Sequence, residues 1–112
     1  MSHFKTLPEF AKEFARLARK YPSLAEDLTK LEKLLAINPV GIGTNFVTIH
    51  QGSDVKIVKT RLACKSLKNR SIRVIYAHHE DSVTFVYIEI YFKGDKENEE
   101  RERVKQYLKE VE

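Results

Sequence analysis

The apolar residues of this chain change their period once, and that change limits it to a helical layer set against a sheet. From Leu7 to Leu35 they recur at helical spacing, first as Leu7, Phe10, Ala11, Phe14, Leu17, Ala18 and Tyr21, then as Leu24, Leu28, Leu31 and Leu35. "TLPEF" reads as a capping box, with Thr6 as N-cap, Pro8 in the first turn and Glu9 reaching back, so the spacing predicts a helix to about Lys20. "YPSLAE" repeats the device with Ser23 and Glu26, and the two helices form an αα-hairpin. Pro39 and the two glycines of "NPVGIG" end the second helix.

Beyond that break the period becomes two. In "VKIVKTRLACK" Val58, Thr60, Leu62 and Cys64 share one face and Lys59, Arg61 and Lys65 the other, as in a half-buried strand. "SLKN" makes a turn, and "RSIRVIYAH" follows with Ile72, Val74 and Tyr76 opposed by Arg73. After "HHEDS", "VTFVYIEIYFK" places Thr84, Val86, Ile88, Ile90 and Phe92 against Tyr87, Glu89, Tyr91 and Lys93. Three strands in succession predict an antiparallel meander. A final helix is expected from about Glu97 to Val111, striped by Val104, Tyr107, Leu108 and Val111, with acids in its first turn. "HFK" adds a possible edge strand, and "NFVTIH" fits either class. The expected fold is α+β, an N-terminal αα-hairpin packed on an antiparallel three- to four-stranded sheet with a short C-terminal helix, as one domain over residues 1–112.

Composition agrees with a folded chain, 42% hydrophobic and 32% charged. No apolar run approaches the ~20 residues that span a bilayer, and the N-terminus lacks the hydrophobic stretch of a signal peptide, so cytoplasm and no membrane partner are expected. Cys64 is the single cysteine, which excludes an internal disulfide and suits a core thiol; no disulfide-linked partner is expected.

The net charge of +4 is concentrated in the meander. From Lys56 to Tyr76 the chain carries seven Lys or Arg and no Asp or Glu. Like charges facing each other across a sheet repel, so the run adds nothing to folding. A solvated strand face is the plain explanation, and a polyanion partner is the functional one. With one sheet face on the helices, Lys59, Arg61, Arg73, Tyr91 and Lys93 gather on the other, where guanidinium forks suit a phosphate backbone. Lys56, Lys65, Lys68, Arg70 and Lys96 extend the basic surface.

The element order, with "KTRLACKS", "RSIRVIY" and "YIEIYFKGDKE" before a short terminal helix, resembles the RelE/ParE superfamily of bacterial toxins, in particular its RelE-like branch. The likeness covers about Phe4 to Leu108. It implies a toxin of a type II toxin–antitoxin system: a small cytoplasmic mRNA interferase that enters the ribosome and is held inactive by a cognate antitoxin. It further implies that Arg73 is a functional arginine, that Lys59 and Arg61 lie on the neighbouring strand, and that Tyr91, Lys93 and Lys96 supply the C-terminal part of the site. Several relatives have a C-terminal Tyr or His as acid or base; here no histidine follows His79, Tyr107 is on the helix stripe, and Tyr91 is the substitute. The ParE branch shares the fold and acts on gyrase, and fold alone does not decide between the two, nor between a nuclease and a non-catalytic binder.

Cleavage of RNA through its own 2′-hydroxyl needs a base, stabilisation at phosphorus and an acid for the 5′-oxygen. Arg61 and Arg73 fit the second role. Lys59, Lys93 or Tyr91 fit a proton role if clustered cations lower their pKa. No metal or cofactor is required. Against these roles stand plainer ones: Arg73 as an exposed strand arginine, and Tyr87 and Tyr91 as cross-strand packing partners. "HHED" has metal-binding residue types, but neighbours on a turn rarely converge. His3 and His50 are isolated, and Phe10 and Phe14 belong to the helix core.

Overall fold

A computed structural model describes residues 3–68 and 71–111. The fold is α+β. Strand β1 (His3–Thr6) leads into helices α1 (Pro8–Lys20) and α2 (Leu24–Ile37). Strands β2 (Phe46–Gln51), β3 (Val55–Ala63), β4 (Ser71–His79) and β5 (Thr84–Phe92) follow, and helix α3 (Arg101–Val111) comes last. The hairpin and the meander lie where the periodicity puts them. The sheet is larger than expected, and mixed: five strands in the order β1-β5-β4-β3-β2, with β1 parallel to β5 and the other pairs antiparallel. "HFK" and "NFVTIH" are its two edges.

Both capping boxes fail for identifiable reasons. Thr6 pairs with Tyr87 in the sheet, and Leu7, whose N–H bonds the Tyr87 carbonyl, becomes the N-cap of α1. Ser23 does precede α2, but its hydroxyl donates to Asp27 and accepts from the Ser66 N–H, which ties the hairpin to a 3-10 turn at Lys65–Leu67. Gly41 is needed for two reasons: its φ is +70°, and a Cβ there would lie 2.2 Å from the Phe46 ring.

The hairpin covers one sheet face. Phe10, Leu17, Leu24, Leu31 and Leu35 pack on Val58, Leu62, Cys64, Ile72, Val74, Tyr76, Phe85, Tyr87 and Ile90. A second core occupies the opposite face, where Val104 and Tyr107 of α3 sit on Val55, Ile57, Ile75, Ala77, Val86 and Ile88. The sheet is therefore covered on both sides at one end, and β3 is half-buried only towards Ala63. In β5 the alternation breaks. Ile75 pairs with Glu89 but Tyr76 pairs with Tyr87, so Ile88 is an extra residue. The shift moves Tyr87 to the hairpin face with Ile90 and leaves Ile88 under α3.

Helix α3 begins at Arg101, four residues later than expected, because the preceding turn is spent on the sheet: the Glu100 N–H donates to buried Glu89. Since β1 stops opposite Tyr87, the remaining β5 edge is closed by side chains. Glu13 of α1 accepts the Ile90 N–H, and Arg103 of α3 donates to the Ile88 carbonyl.

Candidate nucleic-acid interface

The register of the meander brings three of the expected residues into one line. Arg61 on β3 pairs with Arg73 on β4, which pairs with Tyr91 on β5. At ~5 Å between strands, the row spans roughly 10 Å. The neighbouring row on the same face is Lys59, Ile75 and Glu89. These two rows begin where the core under α3 ends, and residues 93–100 pass beside them.

The row is less open than a solvated strand face. Arg73 is 8% exposed and Tyr91 4%, whereas Arg61 is exposed. Burial, and then the charge of Arg61, disfavour the Arg73 guanidinium, with Tyr91 acting in the opposite sense. The Tyr91 hydroxyl is buried without a hydrogen-bond partner among the described residues. Burial raises its pKa, and nearby Lys59, acting both through its charge and as a donor towards the hydroxyl, offsets that only in part.

Carboxylates hold the cations that flank the row. Glu99 accepts from Lys59 at 2.9 Å. Burial works most strongly against the Lys59 ammonium, but the bond to Glu99, the nearby Tyr91 hydroxyl and the Glu99 charge together outweigh it and the pKa is raised. For Glu99 burial works in the other direction, and the bond to Lys59, a backbone hydrogen bond and the charges of Lys59 and Arg101 together overcome it, so its pKa is lowered. Glu89 is fully buried and accepts from Lys96 at 2.5 Å and from the Glu100 N–H at 2.7 Å. Lys96 also lies 5.6 Å from the centre of the Tyr91 ring. Clustering thus does not lower the pKa of Lys59 or Tyr91, contrary to expectation: each is pushed further from neutrality, Lys59 by Glu99 and Tyr91 together and Tyr91 by burial.

The outlying cations separate. Lys56 has the parity of Val58, so it points to the hairpin face, and it pairs with Glu80 at 3.1 Å. Lys65 lies on the 3-10 turn, 3.9 Å from Glu26, and not on the strand face with Lys59 and Arg61. Lys68 is exposed in a left-handed conformation at φ 53°. Lys93 follows β5 and donates to the Glu97 carbonyl. Arg70 lies outside the described residues. Residues 78–81 do not converge: His78 stacks on Phe85 while His79 bonds the Tyr107 hydroxyl.

Sequence reasoning missed the two acids of the site. Glu89 carried a signal, as a lone acid inside an apolar strand; Glu99, within a charged run, carried none. Chemically, the arrangement offers two guanidinium groups, a phenolic donor and an ion pair within one patch, which suits a phosphodiester. In comparison with known proteins, the chain matches no family model, no curated protein and no solved structure.

Proposed function

We propose that this chain is the toxin of a type II toxin–antitoxin pair, RelE-like in fold, and that it cuts mRNA on the ribosome through the RNA's own 2′-hydroxyl. The observation that carries the reading is the Arg61–Arg73–Tyr91 row. Two guanidinium groups facing each other across a strand pair are unfavourable for folding and favourable for gripping a phosphate. Tyr91 sets a buried hydroxyl beside the Lys59 ammonium, a pair of donors that a phosphate oxygen would join. In this reading Arg61 and Arg73 stabilise the phosphorane, Tyr91 donates to it, and an acidic antitoxin segment neutralises the open side. Element order also supports the RelE-like assignment: a strand, a helical hairpin, a meander and a terminal helix.

A second reading, a non-catalytic or gyrase-directed binder of the same fold, is favoured by the protonated state of Lys59 and Tyr91. Expression of the chain alone separates the two. A rapid fall in amino-acid incorporation with normal plasmid supercoiling supports the nuclease; altered supercoiling with induction of the DNA-damage response supports the gyrase reading.

A further inference from the structure

We infer that Lys59 and Glu99 act together as the acid–base couple of the cleavage proposed above, Glu99 taking the proton of the 2′-hydroxyl and Lys59 delivering one to the departing 5′-oxygen. The inference rests on that reading of function.

Elimination leads to Glu99. A base for the 2′-hydroxyl must be unprotonated near neutral pH and within reach of the RNA. Arg61 and Arg73 keep their protons, Lys59 is an ammonium and Tyr91 a phenol. Lys96 is bound to Glu89, and Glu89 is fully buried with its oxygens engaged by Lys96 and the Glu100 N–H. Glu99 is held ionised by Lys59, and its side chain is 12% exposed. It also lines a groove of about 450 Å³ between β2 and α3, with Ile49, His50, Arg101 and Lys105. Ile49, Arg101 and Lys105 are exposed along that groove, so RNA has a path with cations on its wall.

Geometry then pairs the two roles. The attacking and leaving oxygens of a phosphorane are apical, on opposite sides of phosphorus, so an adjacent base and acid serve both ends when the pair lies along that axis, one group at each oxygen. Glu99 and Lys59 are 2.9 Å apart, next to the arginine row. In the step, the 2′-O–H bond breaks and its proton passes to Glu99, the O2′–P bond forms and the P–O5′ bond breaks. The 5′-oxygen takes a proton from Lys59, leaving a 2′,3′-cyclic phosphate and a 5′-hydroxyl. The proton on Glu99 then crosses the hydrogen bond to the neutral Lys59 amine, which restores the starting pair.

The test is single-turnover mRNA cleavage on programmed ribosomes, with ribosome binding measured in parallel, for the parental chain, E99Q, E99H and H50Q; His50 shares the groove and is the competing base. E99Q is expected to lose cleavage by roughly a hundredfold or more, the scale of general acid–base catalysis, while binding is unchanged or tighter because a carboxylate has left a phosphate site. E99H is expected to recover part of the rate with a rise centred near pH 6.5, the ordinary histidine value. H50Q should cost cleavage far less than E99Q does. The inference is overturned if E99Q cuts within a few-fold of the parent, if it loses binding and cleavage together, if H50Q carries the loss, or if E99H recovers no rate and no new pH limb. Should E99Q fail to fold, the E99H profile decides. A parental chain that leaves mRNA intact overturns the functional reading itself, a result seen without any variant.

Discussion

Arg103 on α3 grips Glu13 on α1 through both guanidinium nitrogens, at 2.8 Å to Oε1 and 2.9 Å to Oε2. The two helices lie on opposite faces of the sheet, so this fork clasps the open β5 edge that β1 leaves uncovered. The contact raises the Arg103 pKa, chiefly through the bond to Glu13. R103A is expected to lower stability by about 2 kcal/mol, because a part-buried carboxylate and the Ile88 carbonyl lose a charged donor. Urea unfolding of R103A, E13Q and the double variant checks this. Effects that simply add would show that the two residues are not coupled.

Acid should loosen the opposite end of the sheet. Burial lowers the pKa of both His78 and His79; the charges of Lys56 and His79 add to the effect at His78, where Glu80 opposes, and Lys5 adds to it at His79. The unfolded chain, with ordinary histidines near pH 6.5, then binds more protons than the native state below neutrality. The stability these residues contribute is complete above about pH 6.5 and falls as pH drops from there towards the lowered native values. Thermal unfolding between pH 7.5 and pH 5 should show the decline, and H78F, which keeps the ring stacked on Phe85, should flatten it. An identical slope in H78F would remove His78 from the explanation.

RNA binding should depend on salt less steeply than the count of basic residues suggests. Lys56, Lys59, Lys65 and Lys96 are each paired with a carboxylate, whereas Arg61 and Lys68 make no ion pair among the described residues. With Arg61, Arg73 and Lys68 as the phosphate contacts, single-stranded RNA is expected to give a slope of about −2 in a plot of log affinity against log salt, near 0.7 per contact. R61A should reduce its magnitude by roughly 0.7. A slope several times steeper would mean that the internal pairs open and the whole basic run meets RNA.

The helical hairpin was legible because Leu24, Leu28, Leu31 and Leu35 face one core and Pro39 stops the run. Three features were not. Thr6 looks like a helix cap from its neighbours, and only the distant pairing with Tyr87 makes it a strand residue. The extra residue Ile88 reverses the phase of β5, and no local signal marks it, since apart from Glu89 both phases of "FVYIEIYF" are apolar or aromatic. Burial of the second sheet face under Val104 and Tyr107 explains why Ile57 and Ile75 are apolar where alternation alone would place polar groups. At the site, strand parity placed Arg61, Arg73 and Tyr91 together, because one residue per strand sufficed. Parity could not show that the chain's own acids, Glu89 and Glu99, answer the neighbouring lysines, since Glu99 lies 40 residues from Lys59.

Arg73 itself offers a stability test of function. It was expected to be an exposed strand arginine, yet it is 8% exposed beside Arg61, where burial and like charge both disfavour a cation. R73M should abolish cleavage while the chain still folds and unfolds cooperatively, as when a site residue serves function more than the fold. A large loss of stability would make Arg73 a structural residue.

The most direct measurement is mRNA cleavage on programmed ribosomes by Arg73→Lys, with ribosome binding and a melting curve for the same protein. Lysine keeps the charge at the centre of the row but not the planar fork that holds two phosphate oxygens at once. The expected result is near-parental binding and melting with cleavage reduced by roughly a hundredfold or more, the scale of losing one transition-state donor. Cleavage at the parental rate would contradict the assignment of the Arg61–Arg73–Tyr91 row as the site of phosphoryl chemistry.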